Sequence, residues 1–229
     1  MALSLYRNLL FDLDGTLTDS AAGIVHSVEY ALAKMGISEA DRGALLRFIG
    51  PPLVESFQRF YGMDFETAWQ AVQFYREYFG KTGIFENRVY PGISELLADL
   101  KRRDFRLAVA TSKPTVFSER ILVHFGLDQF FDRIIGSELD GSRSAKSDVV
   151  AAVLAASADM DPNRPNAAMI GDREHDIIGA RNNGIAAIAV AYGYGTIGEL
   201  TAARPDRIVH SVSELRDFLL GNPAERRKG

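Results

Sequence analysis

The chain has 229 residues, a net charge of −4 and no cysteine. The acidic balance gives no sign of a nucleic-acid partner, and the lack of cysteine excludes disulfides, thiolate catalysis and cysteine-ligated zinc. Apolar residues make up 47% of the chain, enough for a substantial core, yet no apolar run reaches the ~18 residues of a membrane span. The first residues lack the pattern of a signal peptide, so we expect a cytoplasmic protein.

The first predicted element is a buried strand, because Leu3 to Phe11 is apolar with few interruptions. It ends at Asp12, and Asp14 and Gly15 follow, so two carboxylates lie where the strand turns. Ligands bind at this edge of an open parallel sheet. Two close acids attract a divalent cation; alternatively, one attacks as a nucleophile while the other moves a proton. A turn rich in Asp and Gly without any function would show the same residues.

A run of helices is predicted next, over residues 19 to 85, with no convincing strand. The helices run from Asp19 or Ser20 to Gly36, from Ser38 to near Gly50, from Pro51-Pro52 through Phe60, and from Phe65 to Phe79. Helices grouped in this way indicate a separate unit inserted into something else. We expect this unit at residues 19–88, between the core segments 1–18 and 89–229.

Alternating strands and helices are predicted from about Tyr90 onward. The strands are 105–110, 133–135, 167–170, 186–191 and 208–209, and the helices are 93–102, 116–125, 147–158, 177–182 and 213–220. Repeated βα units imply an α/β fold with a doubly wound parallel sheet. Gly193 to Gly198 formally fits a dinucleotide fingerprint, but it comes late in the fold, so we expect only a flexible loop near the site mouth. Asn222 to Gly229 is expected to be a frayed tail.

Polar side chains follow several of the predicted strands, and a lysine opens one helix. They are Asp12, Asp14, Thr111, Ser112, Asp172 and Asp176, with Lys146 at the start of the helix 147–158. The carboxyl ends of parallel strands share one edge, so these groups can converge. Acids suit Mg²⁺, while hydroxyls and a lysine suit phosphoryl oxygens. Singly, each is explained as a helix cap or a solvated side chain; together they favour a site for a metal ion and a phosphate.

These residues give the chain a resemblance to the haloacid dehalogenase-like phosphohydrolases. The motifs that carry it are 12–17, 111–113, Lys146 and 171–176, in the family's order, with the helical stretch matching the family's cap. The overall pattern is closest to the phosphoglycolate phosphatase-like branch. The stretches 49–57, 136–141 and 171–176 look more like members named 5′-nucleotidases. Relatives of the phosphoglycolate phosphatase type usually have proline after the third-motif lysine, whereas this chain has Ser147.

The resemblance implies a Rossmann-like core, an α-helical cap and a Mg²⁺-dependent phosphomonoesterase that forms an aspartyl-phosphate. Asp12 would be the nucleophile, and Asp14 would protonate the leaving oxygen and then activate water. The implied metal ligands are Asp12, the backbone carbonyl of Asp14, and Asp172, with Asp176 supporting; the implied phosphate-binding residues are Thr111, Ser112 and Lys146. A cap hinged near Thr18-Asp19 and Tyr90-Pro91 would exclude water. The intact acid pair argues against a metal-free dehalogenase.

The expected partner is a small phosphorylated metabolite, with no nucleic-acid polymer and no membrane. Nucleoside 5′-monophosphates are favoured, and Arg47 and Gly50 are candidate cap contacts with the substrate. Three alternatives stay open: phosphoglycolate or another small phosphometabolite, including pyrophosphate; a phosphomutase reaction; and a non-enzymatic phospho-accepting module. The sequence makes no prediction of oligomeric state.

Overall fold

The computed structural model describes residues 6–156 and 166–221. Its strands are β1 (Asn8–Phe11), β2 (Thr18–Asp19), β3 (Arg88–Val89), β4 (Arg106–Pro114), β5 (Arg133–Ser137), β6 (Ala167–Gly171), β7 (Ala186–Val190) and β8 (Arg207–Val209). Six of them form one parallel sheet in the order β5-β4-β1-β6-β7-β8. The doubly wound α/β sheet predicted from the alternating pattern is therefore confirmed.

Nine α-helices connect these strands within the described residues. They are α1 (Ala21–Lys34), α2 (Leu53–Tyr61), α3 (Phe65–Phe79), α4 (Ile93–Arg102), α5 (Thr115–His124), α6 (Lys146–Ala156), α7 (Glu174–Asn182), α8 (Ile197–Ala203) and α9 (Val212–Leu220). Short 3₁₀ turns occupy Arg42–Phe48, Gly83–Phe85 and Asp128–Phe130. No helix in the described ranges is long and apolar enough to cross a membrane.

The centre of the sheet is β1, whose four residues are all buried. Because side chains alternate along a strand, Leu9 and Phe11 enter the core on one face of the sheet while Leu10 enters the core on the other. Because helices cover both faces of the sheet, Leu9 to Phe11 of β1 form a continuous apolar segment rather than an alternation of apolar and polar residues. The predicted start of this strand at Leu3 lies outside the described residues.

The helical unit between β2 and β3 packs its helices around buried apolar residues, which join the cluster on one face of the sheet. α1 and α3 lie side by side, and their facing sides bury Val28, Leu32, Val72 and Phe79, among others. The chain leaves and re-enters the α/β core through a two-stranded antiparallel ladder, in which Thr18 pairs with Val89 and Asp19 with Arg88. This ladder was not predicted, because two residues per strand carry no periodicity.

Two predicted segments differ in the structure. The helix expected from Ser38 to Gly50 is only the 3₁₀ stretch Arg42–Phe48, because Asp41 accepts hydrogen bonds from the backbone of Gly43 and Ala44 and fixes a tight turn there. The loop expected after β7 contains the extra helix α8. The start of α8 was not predicted because glycines surround it. In the structure, the Thr196 hydroxyl caps the helix by accepting a hydrogen bond from the Glu199 backbone N–H at 3.1 Å. The expected frayed tail, 222–229, lies outside the described residues.

Candidate active site

Strand register brings the predicted site residues to one edge of the sheet. Phe11 at the end of β1 pairs with Val109 in β4 and with Ile170 in β6. Asp12, Thr111 and Asp172 therefore follow at the same carboxyl edge, where Asp12 is 5% exposed, Thr111 2% and Asp172 fully buried. The convergence expected from the topology of a parallel sheet is thus present in the structure.

Three of the acids form a tight cluster around one lysine. Oxygen atoms of Asp12, Asp172 and Asp176 lie within 4.8 Å of one another. The ammonium of Lys146 is 2.9 Å from a carboxylate oxygen of Asp12 and 2.9 Å from one of Asp176, and it donates to the carbonyl of Ala110 at 3.1 Å. We call these four charged residues the floor cluster.

The floor cluster has more negative than positive charge. Burial, followed by the charges of Asp176 and Asp12, raises the pKa of Asp172 well above its usual range. Burial also raises the pKa of Asp176, against the opposing effect of Lys146. Burial alone would lower the pKa of Lys146, but the charges of Asp12 and Asp176 raise it above its usual range. One lysine therefore does not neutralise the three carboxylates.

Asp14 lies apart from this cluster and has a different partner. Its Oδ2 is 2.9 Å from the ammonium of Lys113, and both side chains are nearly buried. Its Oδ1 is buried and accepts no hydrogen bond from any described residue. Sequence reasoning gave Lys113 no role, although a lysine directly after a hydroxyl pair at a strand end was a signal for one. The two acids of the first motif thus have separate environments.

A cleft opens above these residues. Asp12, Asp14, Thr111, Ser112 and Lys113 line its lower side. The helical unit and the first turn of α5 supply the other side, which is mostly apolar: Ile24, Phe48, Gly50, Pro51, Pro52, Leu53, Tyr75, Arg76, Phe79, Pro114 and Phe117. The predicted hydroxyl pair therefore faces the same space as both acids.

The two arginines of the helical unit differ in position. Arg47, predicted as a substrate contact, is exposed and stacks on the Phe60 ring at 4.2 Å, away from the residues that line the cleft. Arg76, which was not predicted, lines the cleft and donates to the carbonyl of Leu139 at 2.7 Å. Gly50 lines the cleft as expected. The structure therefore places Gly50 at the cleft and does not place Arg47 there.

The glycine-rich segment after β7 supports the floor cluster from below. The backbone N–H of Tyr194 donates to Asp172 at 2.8 Å, and its hydroxyl donates to Asp19 in β2 at 2.7 Å. Gly193 packs so closely that a Cβ there would lie 2.4 Å from the Cβ of Asp172. The glycines of this segment are thus explained by close approach to an aspartate rather than by a dinucleotide.

The floor cluster fits a small divalent cation. Its carboxylate oxygens are hard ligands of the kind Mg²⁺ prefers, and they are close enough to share one ion. Burial, together with the charges of Asp176 and Asp12, raises the pKa of Asp172, and a cation would offset both effects. Residues of the chain that would hold the ion are Asp12 and Asp172, with Asp176 beside them.

The fold and this edge of the sheet define a class of proteins: α/β proteins with a doubly wound parallel sheet and a helical unit inserted over a buried aspartate–lysine site. Comparison with known families agrees, because the family model described as haloacid dehalogenase-like hydrolase matches residues 9–190. The chain belongs to the haloacid dehalogenase-like hydrolases, which confirms the resemblance seen in its motifs, and its relatives make it a phosphatase of that family.

Three similar proteins bear different names. A 5′-nucleotidase of Pseudomonas aeruginosa is 48% identical over 214 residues, which cover 93% of this chain and 96% of that protein. The tyrosine-protein kinase PtkA of Mycobacterium tuberculosis is 40% identical over 92% of this chain and 72% of its own length. A crystal structure of a predicted phosphatase from Clostridium acetobutylicum has 51% identity and a TM-score of 0.90, covering 95% of this chain and 99% of its own.

Proposed function

We propose that this protein is a Mg²⁺-dependent phosphomonoesterase that forms an aspartyl-phosphate on Asp12 and acts on nucleoside 5′-monophosphates. The observation that carries the reaction is the separation of the two acids. Asp12 belongs to the charged floor cluster, while Asp14 lines the cleft and pairs with Lys113. Two carboxylates in different environments suit two different roles.

Asp12 is held for nucleophilic attack. Its Oδ1 accepts from the Leu13 backbone N–H at 2.8 Å and pairs with Lys146, so the carboxylate is fixed in orientation and opens towards the cleft. Attack of its other oxygen on phosphorus would expel the alcohol and leave a phosphoryl group on Asp12. A bound Mg²⁺ would neutralise charge on the transferred phosphoryl group.

We assign proton transfer to Asp14, which lines the cleft together with Asp12. Its carboxyl group would give a proton to the leaving oxygen and later take one from the water that hydrolyses the aspartyl-phosphate. Thr111 and Ser112 line the same space and would hold phosphoryl oxygens, together with Lys146. Lys113 pairs with Oδ2 of Asp14 at 2.9 Å and so restrains the orientation of its carboxylate.

The helical unit, residues 19–88, is proposed to act as a cap over the cleft. The ladder between β2 and β3 attaches it to the core. Its apolar cleft side, with the rings of Phe48, Tyr75 and Phe79, suits a leaving group as large and flat as a nucleoside. The name of the Pseudomonas relative supports the same substrate class.

A second candidate substrate class has one specific observation in its favour. Arg76 lines the cleft, burial lowers the pKa of its half-buried guanidinium, and no carboxylate among the described residues forms an ion pair with it. A cation in this position suits a leaving group with its own negative charge, such as the carboxylate of phosphoglycolate. Nucleosides, which are neutral, would leave that cation unpaired.

The decisive experiment is a screen of phosphate release over nucleoside monophosphates, phosphoglycolate, sugar phosphates and pyrophosphate, with and without Mg²⁺. The proposal expects free phosphate, with nucleoside 5′-monophosphates giving the highest kcat/KM. Phosphate returned to a sugar would instead indicate a mutase.

A trapping experiment tests the covalent step separately. With Asp14→Asn and p-nitrophenyl phosphate, whose leaving group needs no proton, the phosphorylated enzyme should accumulate and show the mass of one added phosphoryl group. The double variant with Asp12→Asn should show none. Phosphate release without a labelled Asp12 would contradict the aspartyl-phosphate mechanism.

A further inference from the structure

One side chain of the α/β core reaches across to the loop of the helical unit that lines the cleft. Arg173 directly follows Asp172, and its guanidinium donates to the carbonyl of Ile49. The Nε of the same guanidinium is 2.8 Å from Glu199 in α8, which also accepts from the Glu174 backbone N–H at 3.0 Å. Arg173 thus joins a fixed anchor in the core to a loop of the cap.

This contact is well packed rather than a loose surface pair. The side chains of Arg173 and Glu199 are only 17% and 19% exposed. Gly50 has a φ of +106°, a backbone conformation that favours glycine, and a Cβ on it would lie 3.1 Å from the Cγ of Arg173. The backbone of Gly50 therefore lies so close to the Arg173 side chain that a larger residue at this position would crowd it.

The two ends of Arg173 belong to the two functional parts of the site. Its backbone N–H donates to Asp176 of the floor cluster at 3.0 Å, while its side chain holds the loop whose next residues, Gly50 to Pro52, line the cleft. We propose that Arg173 is a positioning residue that latches the cap loop 49–52 onto the core. The cleft would then close only when the segment 172–176, which carries Asp172 and Asp176, is correctly formed.

The latch makes a specific prediction about motion. Losing a charged hydrogen bond of this kind should raise the ratio of open to closed cap about tenfold. The chain has no cysteine, so a pair of spin labels can be introduced at Glu55→Cys in α2 and Ile178→Cys in α7, both exposed positions. In Arg173→Met the distribution of label distances should extend to longer values. Arg173→Lys, which can reach only one of the two acceptors, should lie between.

The matched control is Arg42→Met, which breaks an ion pair with Glu29 on the outer side of the cap at 2.6 Å. It should leave the label distances as in the parent protein. Label distances that stay the same in Arg173→Met and in the parent would overturn the latch. This measurement does not depend on any enzymatic activity, so it stands even if the proposed function fails.

A kinetic measurement rests on the proposed function and separates latching from general damage. Arg173→Met should raise KM for a nucleoside monophosphate about tenfold, because the cap closes less often over the substrate. The Mg²⁺ concentration for half-maximal activity should change less than about threefold, since the backbone N–H that holds Asp176 is retained. A large rise in the Mg²⁺ requirement with no change in KM would show a merely structural role for Arg173 and contradict the proposal.

Discussion

The two sides of the candidate site are built in different ways. The floor cluster of Asp12, Lys146, Asp172 and Asp176 is buried, charged and tied together by ion pairs of 2.9 Å. The opposite side, which we call the cap wall, consists mainly of rings and prolines, with Arg76 as a cation among them. Charge is concentrated where bonds would be made and broken, and apolar surface lies where the leaving group would sit.

This difference indicates which part of the protein defines the reaction and which defines the substrate. A buried cluster of opposite charges tolerates little change, because removing its lysine would leave carboxylates without a counter-charge in a medium that cannot solvate them. Apolar side chains of the cap wall can be exchanged for others of similar volume without leaving a charge unpaired. The predictions below test whether changes to the floor cluster stop the reaction while changes to the cap wall redirect it.

The largest effect is expected from Asp12→Asn. The amide is nearly the same size and its oxygen can still accept from Leu13 and Lys146, so the fold should persist with a melting temperature within ~3 °C of the parent. It cannot attack phosphorus, and kcat should fall about 10³-fold or more. Phosphate release and thermal melting, measured on the same preparation, test this. Activity within about tenfold of the parent would exclude Asp12 as the nucleophile.

Removal of metal is expected to be nearly as severe. A chelator should abolish phosphate release, and Mg²⁺ should restore it, because three carboxylates face one lysine in the floor cluster. Asp172→Asn should raise the Mg²⁺ concentration for half-maximal activity about tenfold to a hundredfold. Asp132→Asn is the matched control: this acid also accepts from a backbone N–H, at 2.9 Å, but lies at the opposite edge of the sheet. Full activity in excess chelator would contradict the metal's role.

The floor cluster was largely predictable from the sequence, and the reason is topological. Asp12 and Asp172 follow directly after the apolar strands β1 and β6, and strands of one parallel sheet end at a common edge. Asp12 and Asp172 could therefore be brought together from the chain alone, without knowing any side-chain position. The pairing of Lys113 with Asp14 could not, since the motif contained a lysine but nothing that fixed its direction.

The cap wall was not predictable in the same way. Which helical residues face the cleft depends on how α1, α2 and α3 pack on one another and on the core. The sequence alone does not show which arginine of the helical unit lines the cleft. Arg47 and Arg76 both occur next to aromatic residues on predicted helices. Only the packed structure shows that Arg76 reaches the carbonyl of Leu139 and the cleft, whereas Arg47 stacks on Phe60.

Arg76→Met tests the substrate side of the comparison with a moderate expected effect. If the cation binds an anionic leaving group, kcat/KM for phosphoglycolate should fall about tenfold or more, whereas the value for a nucleoside monophosphate should change less than about threefold. The ratio of the two values, measured at saturating Mg²⁺, is the readout. A parent enzyme that prefers phosphoglycolate by tenfold or more, with the preference lost in Arg76→Met, would overturn the nucleotidase proposal and leave the phosphatase assignment intact.

The smallest effect is expected from Arg47→Ala. Its guanidinium is exposed and lies over the Phe60 ring at 4.2 Å and the Tyr61 ring at 5.9 Å, so its removal costs an exposed cation–π contact of about 0.5–1 kcal/mol and no cleft contact. Values of kcat/KM for both phosphoglycolate and nucleoside monophosphates should stay within about twofold of the parent, with only a slight fall in melting temperature. A selective loss on one substrate would show that Arg47 swings into the cleft during turnover, and the division between the outer surface of the cap and its inner wall would then not hold in solution.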